Sequence, residues 1–140
     1  ILDYLDEVAR ESGREALVPA SGPLRRKVWQ IVAMGQIAVD KAVAIHYEHR
    51  RPPELRWAEW EDRLRNQLAT ALQQLEDALE GDWLVGEALT HADIMATVTV
   101  SFIRYTEPGE WLGKRFPKLE ALTERLEGTD AFRAIPIDKP

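Results

Sequence analysis

The sequence predicts an all-α protein, built as a bundle of five to six helices around one core. Apolar residues recur at spacings of three and four along most of the chain, which is the spacing of one face of an α-helix. Gly and Pro residues and polar stretches separate these segments, as expected at helix ends. The chain has 140 residues, which is enough for one domain with a buried core.

The first helix is predicted at residues 1–12, with Gly13 placed to end it. Its apolar face consists of Leu2, Leu5, Val8 and Ala9. An extended linker is predicted at residues 13–22, because its proline biases the preceding residue away from helix. The sequence opens inside a helix, without Met and without a capping residue, so we expect it to be a fragment whose upstream part is missing.

Two long antiparallel helices are predicted next, at residues 23–50 and 54–80, with two prolines between them. Gly35 lies inside the first, where it costs about 1 kcal/mol relative to Ala, so we expect a close helix contact or a bend there. The apolar stripe of the first helix is Leu24, Val28, Ile31, Val32, Gly35, Ala38, Ala42 and Ile45. The core face of the second is Trp60, Leu64, Leu68, Ala71, Leu72, Leu75 and Leu79.

A specific helix start is predicted at Thr90 and Asp93. The Thr90 hydroxyl can accept a hydrogen bond from a free amide of the first turn, and the Asp93 carboxylate can reach back to the amide of Thr90. This reciprocal arrangement is a capping box, and Leu89 and Ile94 are placed to form the accompanying hydrophobic staple. Loss of either capping side chain should cost about 1 kcal/mol.

Residues 94–103 carry no charge and show two conflicting patterns. Val98, Val100 and Phe102 alternate with hydroxyl residues, as in a β-strand. We predict a helix nonetheless, from Thr90 to about residue 105, because the start signal is specific and the neighbouring segments all have helical spacing. A helix that is apolar on nearly every side belongs in the middle of a domain.

The remaining segments are shorter. Pro108 and Gly109 are predicted to begin a polar loop, and Pro117 to open another helix. A last turn or two is predicted after Asp130, anchored by Phe132.

Composition limits the possible partners. The formal net charge of −6 argues against a nucleic acid or an anionic membrane, since either requires a basic face. The absence of cysteine excludes a disulfide scaffold, a cysteine-based zinc site and a cysteine nucleophile. No apolar run approaches the ~20 residues that span a bilayer. These features fit a cytoplasmic protein.

The order of these segments resembles the C-terminal all-helical domain of the cytosolic glutathione S-transferase superfamily. Asp40 and the Glu48-x-x-Arg51-Pro52 helix ending make it most similar to a bacterial branch. The other segments that carry the resemblance are Tyr4-Leu5-Asp6-Glu7, Leu17-Val18-Pro19, the box from Leu89 to Ile94, Phe116-Pro117-x-Leu119 and Ala131-Phe132.

The resemblance implies that the chain consists of three parts. Residues 1–12 would be the last helix of a missing thioredoxin-like N-terminal domain, residues 13–22 the linker, and residues 23–140 the all-helical C-terminal domain. The capping box of Thr90 and Asp93 would have a structural role.

The resemblance also implies a glutathione transferase-like parent enzyme that joins the glutathione thiolate to a small electrophile. Glutathione would be a co-substrate, and no further cofactor is expected. The thiol chemistry would lie in the missing domain, so this fragment alone is not expected to be catalytic. It would form the wall for the electrophile and part of a homodimer interface. The alternatives are a non-catalytic helical protein-interaction module with the same fold and a stand-alone bundle.

Four residues of the first long helix are candidates for substrate binding: Met34, Ile37, Asp40 and Lys41. Between Ile31 and Ile45 the only other polar side chain is that of Gln36, so the two charges either pair across helices or face a cleft. Met34 and Ile37 share a helix face with Lys41, and in related transferases this part of the helix lines the co-substrate pocket. An interhelical ion pair for Asp40, and core positions for Met34 and Ile37, remain open.

Three further groups of polar residues are weaker candidates. His46 and His49 lie one turn apart but have no evident third ligand, so no metal site is predicted. The basic run at residues 25–27 is either a solvated surface or a contact with acidic groups of another domain or subunit. His91 is expected to be an exposed residue of the first helical turn, and the carboxylates near residue 60 a solvated helix face.

Overall fold

A computed structural model describes residues 1–106 and 114–137 of the chain. No strand occurs in these ranges, and the all-α prediction is confirmed. The helices that lie wholly within these ranges are α1 (Leu2–Glu11), α2 (Gly22–His49), α3 (Ala58–Ala78), α4 (His91–Thr106), α5 (Pro117–Glu127) and α6 (Asp130–Arg133), with a 3-10 turn at Pro53–Leu55. The loop predicted at Pro108 and Gly109 lies outside the described residues.

The central helix α2 packs against α3 on one side and α4 on another, and α5 packs against α4. The core follows the predicted stripes: its members from α2 and α3 are Val28, Ile31, Ala38, Ala42, Ile45, Leu64, Leu68, Ala71, Leu72 and Leu75. Two predicted core residues are placed differently, since Leu24 is 51% and Trp60 38% exposed. Both lie in the first turn of their helices, at the edge of the packed region.

Helix α3 begins at Ala58, four residues later than the sequence pattern predicts. Residues Pro53–Leu55 form the 3-10 turn instead. The carboxylate of Glu48, buried at the end of α2, accepts a hydrogen bond from the Trp57 amide at 2.8 Å. This bond fixes where α3 starts, and a pattern of apolar residues carries no information about it.

The helix predicted over residues 94–103 is confirmed. Thr97 and Thr99 are fully buried, whereas Val98 is 44% exposed, which is the opposite of what strand-like alternation would give. The Thr99 hydroxyl donates to the Met95 carbonyl at 2.7 Å. The Thr99 hydroxyl is thus satisfied within its own helix, whereas Thr97 Oγ1 has no hydrogen-bond partner among the described residues. Burial in the bundle decides the conformation of this segment.

Gly35 marks a close contact between α2 and α4, as predicted. A Cβ atom at this position would lie 2.6 Å from Met95 Cγ and 3.3 Å from Thr99 Oγ1. No larger residue fits here unless the Met95 side chain or its helix shifts, which explains a helix-weakening glycine inside the central helix.

Helix α2 also has the length and apolar composition of a membrane-crossing helix, with a window of mean hydropathy 1.3. The expectation that no apolar stretch of this length exists was therefore wrong. In this fold the apolar character of α2 has another cause, because the helix contributes core residues toward both α3 and α4.

Helix α1 leaves its apolar face uncovered within the described chain. Leu2 is 50%, Leu5 54% and Val8 39% exposed. Its one buried residue is polar, Asp6. The helix is therefore attached to the bundle through polar contacts, and its apolar face is available to another surface.

Candidate functional site

A groove of about 780 Å³ runs between α2 and α3. This volume is within the range of small-molecule sites. Its apolar lining residues are Met34, Ile37 and Ala71. Its polar and charged lining residues are Lys41, Glu59, Asp62, Arg63, Asn66, Gln67, Thr70 and Gln74. The groove thus has an apolar floor and a polar rim.

Three of the four candidate substrate-binding residues lie in this groove. Met34, Ile37 and Lys41 follow one another at spacings of three and four on α2, so the helix presents them on one face. Ile37 is 50% exposed, whereas Met34 is partly buried against the core. Met34 therefore supports the bundle and lines the groove as well.

Asp40 does not line the groove. Its side chain is exposed and accepts a hydrogen bond from Gln36 Nε2 at 3.1 Å. The interhelical ion pair considered for Asp40 does not form within the described part of the chain. The four candidates are therefore divided between two faces of α2.

The α3 wall of the groove includes residues that the sequence pattern places on a solvated helix face. Asp62, Arg63 and Asn66 are exposed, yet they border the groove. Their composition alone does not reveal this position. Only the antiparallel packing of α2 and α3 brings them opposite Met34 and Ile37.

Thr90 and Asp93 form a hydrogen-bonded cluster at the start of α4. Asp93 is fully buried, and its Oδ2 accepts hydrogen bonds from the amide and the hydroxyl of Thr90, each at 2.8 Å. Thr90 Oγ1 accepts the amide of Ala92 at 3.2 Å. Asp93 Oδ1 accepts the amide of Leu84 at 2.8 Å. The cluster therefore holds the preceding loop as well as the helix start.

His91 is 8% exposed, so the expectation of an exposed first-turn residue was wrong. The linker crosses this helix start: the His91 amide donates to the Leu17 carbonyl at 3.1 Å. The imidazole Nε2 lies 3.4 Å from Asp6 Oδ2, and the ring stacks on Trp29 with centroids 6.3 Å apart. Asp6 Oδ1 accepts the Leu17 amide at 2.9 Å. These contacts tie α1 and the linker to the box.

His49 belongs to a charged cluster that joins the ends of α2 and α3. Its Nε2 lies 2.8 Å from Glu61 Oε1, which also accepts hydrogen bonds from Arg65 at 3.1 and 2.9 Å. The hydrogen bond from His49 lowers the pKa of Glu61, partial burial opposes this effect, and Arg65 assists it. No group of three metal-ligating side chains occurs in the described ranges.

This architecture is similar to that of known proteins. Residues 58–125 match the family of glutathione S-transferase C-terminal domains. The glutathione S-transferase of Methylobacterium radiotolerans, solved with glutathione sulfonate, superimposes with a TM-score of 0.85 over 99% of this chain, at 23% sequence identity. The chain has the fold of a glutathione S-transferase C-terminal domain.

Two further structures of glutathione transferases share this C-terminal domain fold. The enzyme of Methylobacillus flagellatus, solved with glutathione bound, matches 94% of the chain at 22% identity and a TM-score of 0.84. A Pseudomonas fluorescens family member, solved with S-(propanoic acid)-glutathione, matches 97% at 24% identity and a TM-score of 0.82. The chain spans 66%, 64% and 68% of the lengths of these three proteins.

No curated protein sequence matches the chain.

Proposed function

We propose that this chain is the C-terminal domain of a glutathione transferase-like enzyme. A thioredoxin-like domain, whose last helix would be residues 1–12, precedes the linker at residues 13–22 and supplies the thiol chemistry. Residues 23–140 form one wall of the electrophile site and part of a homodimer interface. The protein acts in the cytoplasm with glutathione as its co-substrate and needs no other cofactor.

The observation that carries this proposal is the groove between α2 and α3. Its apolar floor of Met34 and Ile37 suits the body of a small electrophile, and its polar rim can orient one. The exposed apolar face of α1 supports a companion domain, because such a face is stabilised when another surface covers it. The relatives solved with glutathione or glutathione sulfonate support the choice of co-substrate.

In the proposed reaction, the glutathione sulfur donates an electron pair to an electrophilic carbon. A sulfur–carbon bond forms, and a leaving group such as chloride departs with the electron pair of its broken bond. The groove contributes positioning: it holds the reactive carbon beside the thiolate, which lowers the entropic cost of bringing the two reactants together. The chain's own residues perform no proton transfer in this scheme.

The test uses the complete protein that contains this chain, with glutathione and an aryl chloride as substrates. Truncation of Met34 or Ile37 to Ala should raise KM for the aryl chloride by roughly tenfold, because apolar contacts are lost. KM for glutathione should be unchanged. Leu55→Ala is the matched control, since Leu55 is 57% exposed and lies outside the groove.

Urea unfolding of each variant separates a lost contact from a lost fold, which matters for Met34 because it also touches the core. The groove assignment is wrong if both truncations leave the aryl chloride kinetics at the level of the control. The enzyme assignment is wrong if the wild-type protein conjugates no electrophile to glutathione.

A further inference from the structure

Lys41 is an incompletely compensated charge within the groove. Its side chain is half-buried, whereas the other charged lining residues, Glu59, Asp62 and Arg63, are exposed. In the described ranges no carboxylate lies within ion-pair distance of the Lys41 ammonium group. A partly buried charge has lost some of its hydration, so it gains more from a counter-ion than an exposed charge does.

The groove residues that precede Lys41 on its face of α2 are apolar. Met34 and Ile37 precede it on the same face of α2, so an apolar strip leads along the groove to the ammonium group. The rim carboxylates of Glu59 and Asp62 are exposed, and their repulsion of an anion is screened by solvent and salt. Arg63 adds a second cation to the same rim.

We propose that Lys41 makes the enzyme selective for electrophiles that carry a carboxylate. The carboxylate accepts a charge-assisted hydrogen bond from the Lys41 ammonium group, while the apolar body of the electrophile lies along Ile37 and Met34. This inference deepens the proposed function and rests on it, because it assigns a substrate class to the groove.

The kinetic test compares two electrophiles that differ in charge, 4-chloro-3-nitrobenzoate and its neutral amide, 4-chloro-3-nitrobenzamide. In each, the glutathione thiolate attacks the carbon that bears chlorine, the new sulfur–carbon bond forms and chloride leaves. Lys41→Met should raise KM for the benzoate roughly tenfold and leave KM for the benzamide within about twofold. Lys41→Arg keeps the charge and should keep the preference.

Arg50→Met is the matched control, because it removes one positive charge from an exposed site at the end of α2, outside the groove. This variant should leave KM for both substrates unchanged. Equal effects of Lys41→Met on the two substrates, or no effect on either, would overturn the assignment of Lys41.

A binding experiment separates this inference from the proposed function. Anilinonaphthalene sulfonate and the neutral N-phenyl-1-naphthylamine differ by one anionic group and fluoresce when bound to apolar surfaces. Lys41→Met should weaken the binding of anilinonaphthalene sulfonate several-fold and leave the binding of N-phenyl-1-naphthylamine unchanged. If the protein transfers no glutathione, this difference still tests the anion preference of the groove; if the two probes respond alike, that preference is refuted.

Discussion

At the scale of single residues, Asp93 is the most constrained side chain of the capping box. It is fully buried and accepts hydrogen bonds from two backbone amides and one hydroxyl. Asp93→Ala would leave these donors buried without an acceptor, at a cost of about 1–3 kcal/mol for each one that water cannot reach. Thr90→Ala removes one cap and should cost about 1 kcal/mol. The two residues are therefore unequal, although the sequence pattern treats them alike.

The prediction is that Asp93→Ala lowers the free energy of unfolding in urea by about 3 kcal/mol or more, and Thr90→Ala by about a third of that. Asp82→Ala is the control in the same loop: Asp82 is exposed, and its ion pair with Arg125, at 3.6 Å, lies at the surface, so it should matter little. An Asp93→Ala variant as stable as Thr90→Ala would show that the box acts only as an ordinary helix cap.

Glu61 gives the protein a pH-dependent contribution to stability. The hydrogen bond from His49, opposed by partial burial and assisted by Arg65, holds the pKa of Glu61 below its usual value of 4.5. A carboxyl whose pKa is lower in the folded state stabilises the protein fully above its unfolded-state pKa. That contribution is lost as the pH falls through the folded-state pKa.

Glu61→Gln should therefore reduce the free energy of unfolding at pH 6, by about 1 kcal/mol or less for a partly exposed pair. The difference from wild type should shrink as the pH is lowered below 4.5. Glu54→Gln, at an exposed position without an ion pair in the described chain, should show no such trend. A difference that is independent of pH between 6 and 3 would contradict the role given to the His49 contact.

At the scale of helices, the crossing of α2 and α4 depends on Gly35. Ala has the better helix propensity by about 1 kcal/mol, so Gly35→Ala would stabilise an isolated helix. In the bundle the added Cβ meets Met95 Cγ at 2.6 Å, and overpacking of this kind typically costs about 1–3 kcal/mol. We predict that Gly35→Ala lowers the free energy of unfolding.

A double-mutant cycle tests whether the contact with Met95 causes the destabilisation by Gly35→Ala. In a Met95→Ala background the obstructing Cγ is absent, so Gly35→Ala should become neutral or stabilising, with only the 3.3 Å contact to Thr99 Oγ1 remaining. If the cost of Gly35→Ala is the same in both backgrounds, the two helices are not limited by this contact.

At the scale of the whole molecule, apolar periodicity predicted most of the helices and most of the core, and the capping box was needed to predict the helix at residues 94–103. It failed where a contact depends on the path of a loop or linker. His91 is buried because the linker crosses the start of α4 and brings Asp6 to the imidazole. The carboxylate of Glu76 accepts the amides of Lys118 and Leu119 at 3.0 and 2.9 Å, and so caps a helix distant in sequence. Such contacts have no local signature.

The candidate site could likewise be predicted only in part from the sequence. Helical spacing predicted that Met34, Ile37 and Lys41 share a face, and the structure places them in one groove. The opposite wall was not predictable, because Asp62 and Arg63 have the composition of a solvated surface. The assignment of Asp40 to the same site depended on its position between apolar residues, which does not determine the face of the helix on which it lies.

The proposed companion domain can be tested at the apolar face of α1. If a thioredoxin-like domain covers the apolar face of α1, the effect of Leu5→Glu depends on whether that domain is present. In the chain of residues 1–140, Leu5 is 54% exposed, so the substitution should change the free energy of unfolding by about 0.5 kcal/mol or less. In the complete protein it would bury a carboxylate in an apolar interface, at a cost of about 2 kcal/mol or more. Leu55→Glu, at a similarly exposed residue far along the chain, should have a small effect in both. Small effects of Leu5→Glu in both proteins would mean that α1 is not the contact surface between the two domains.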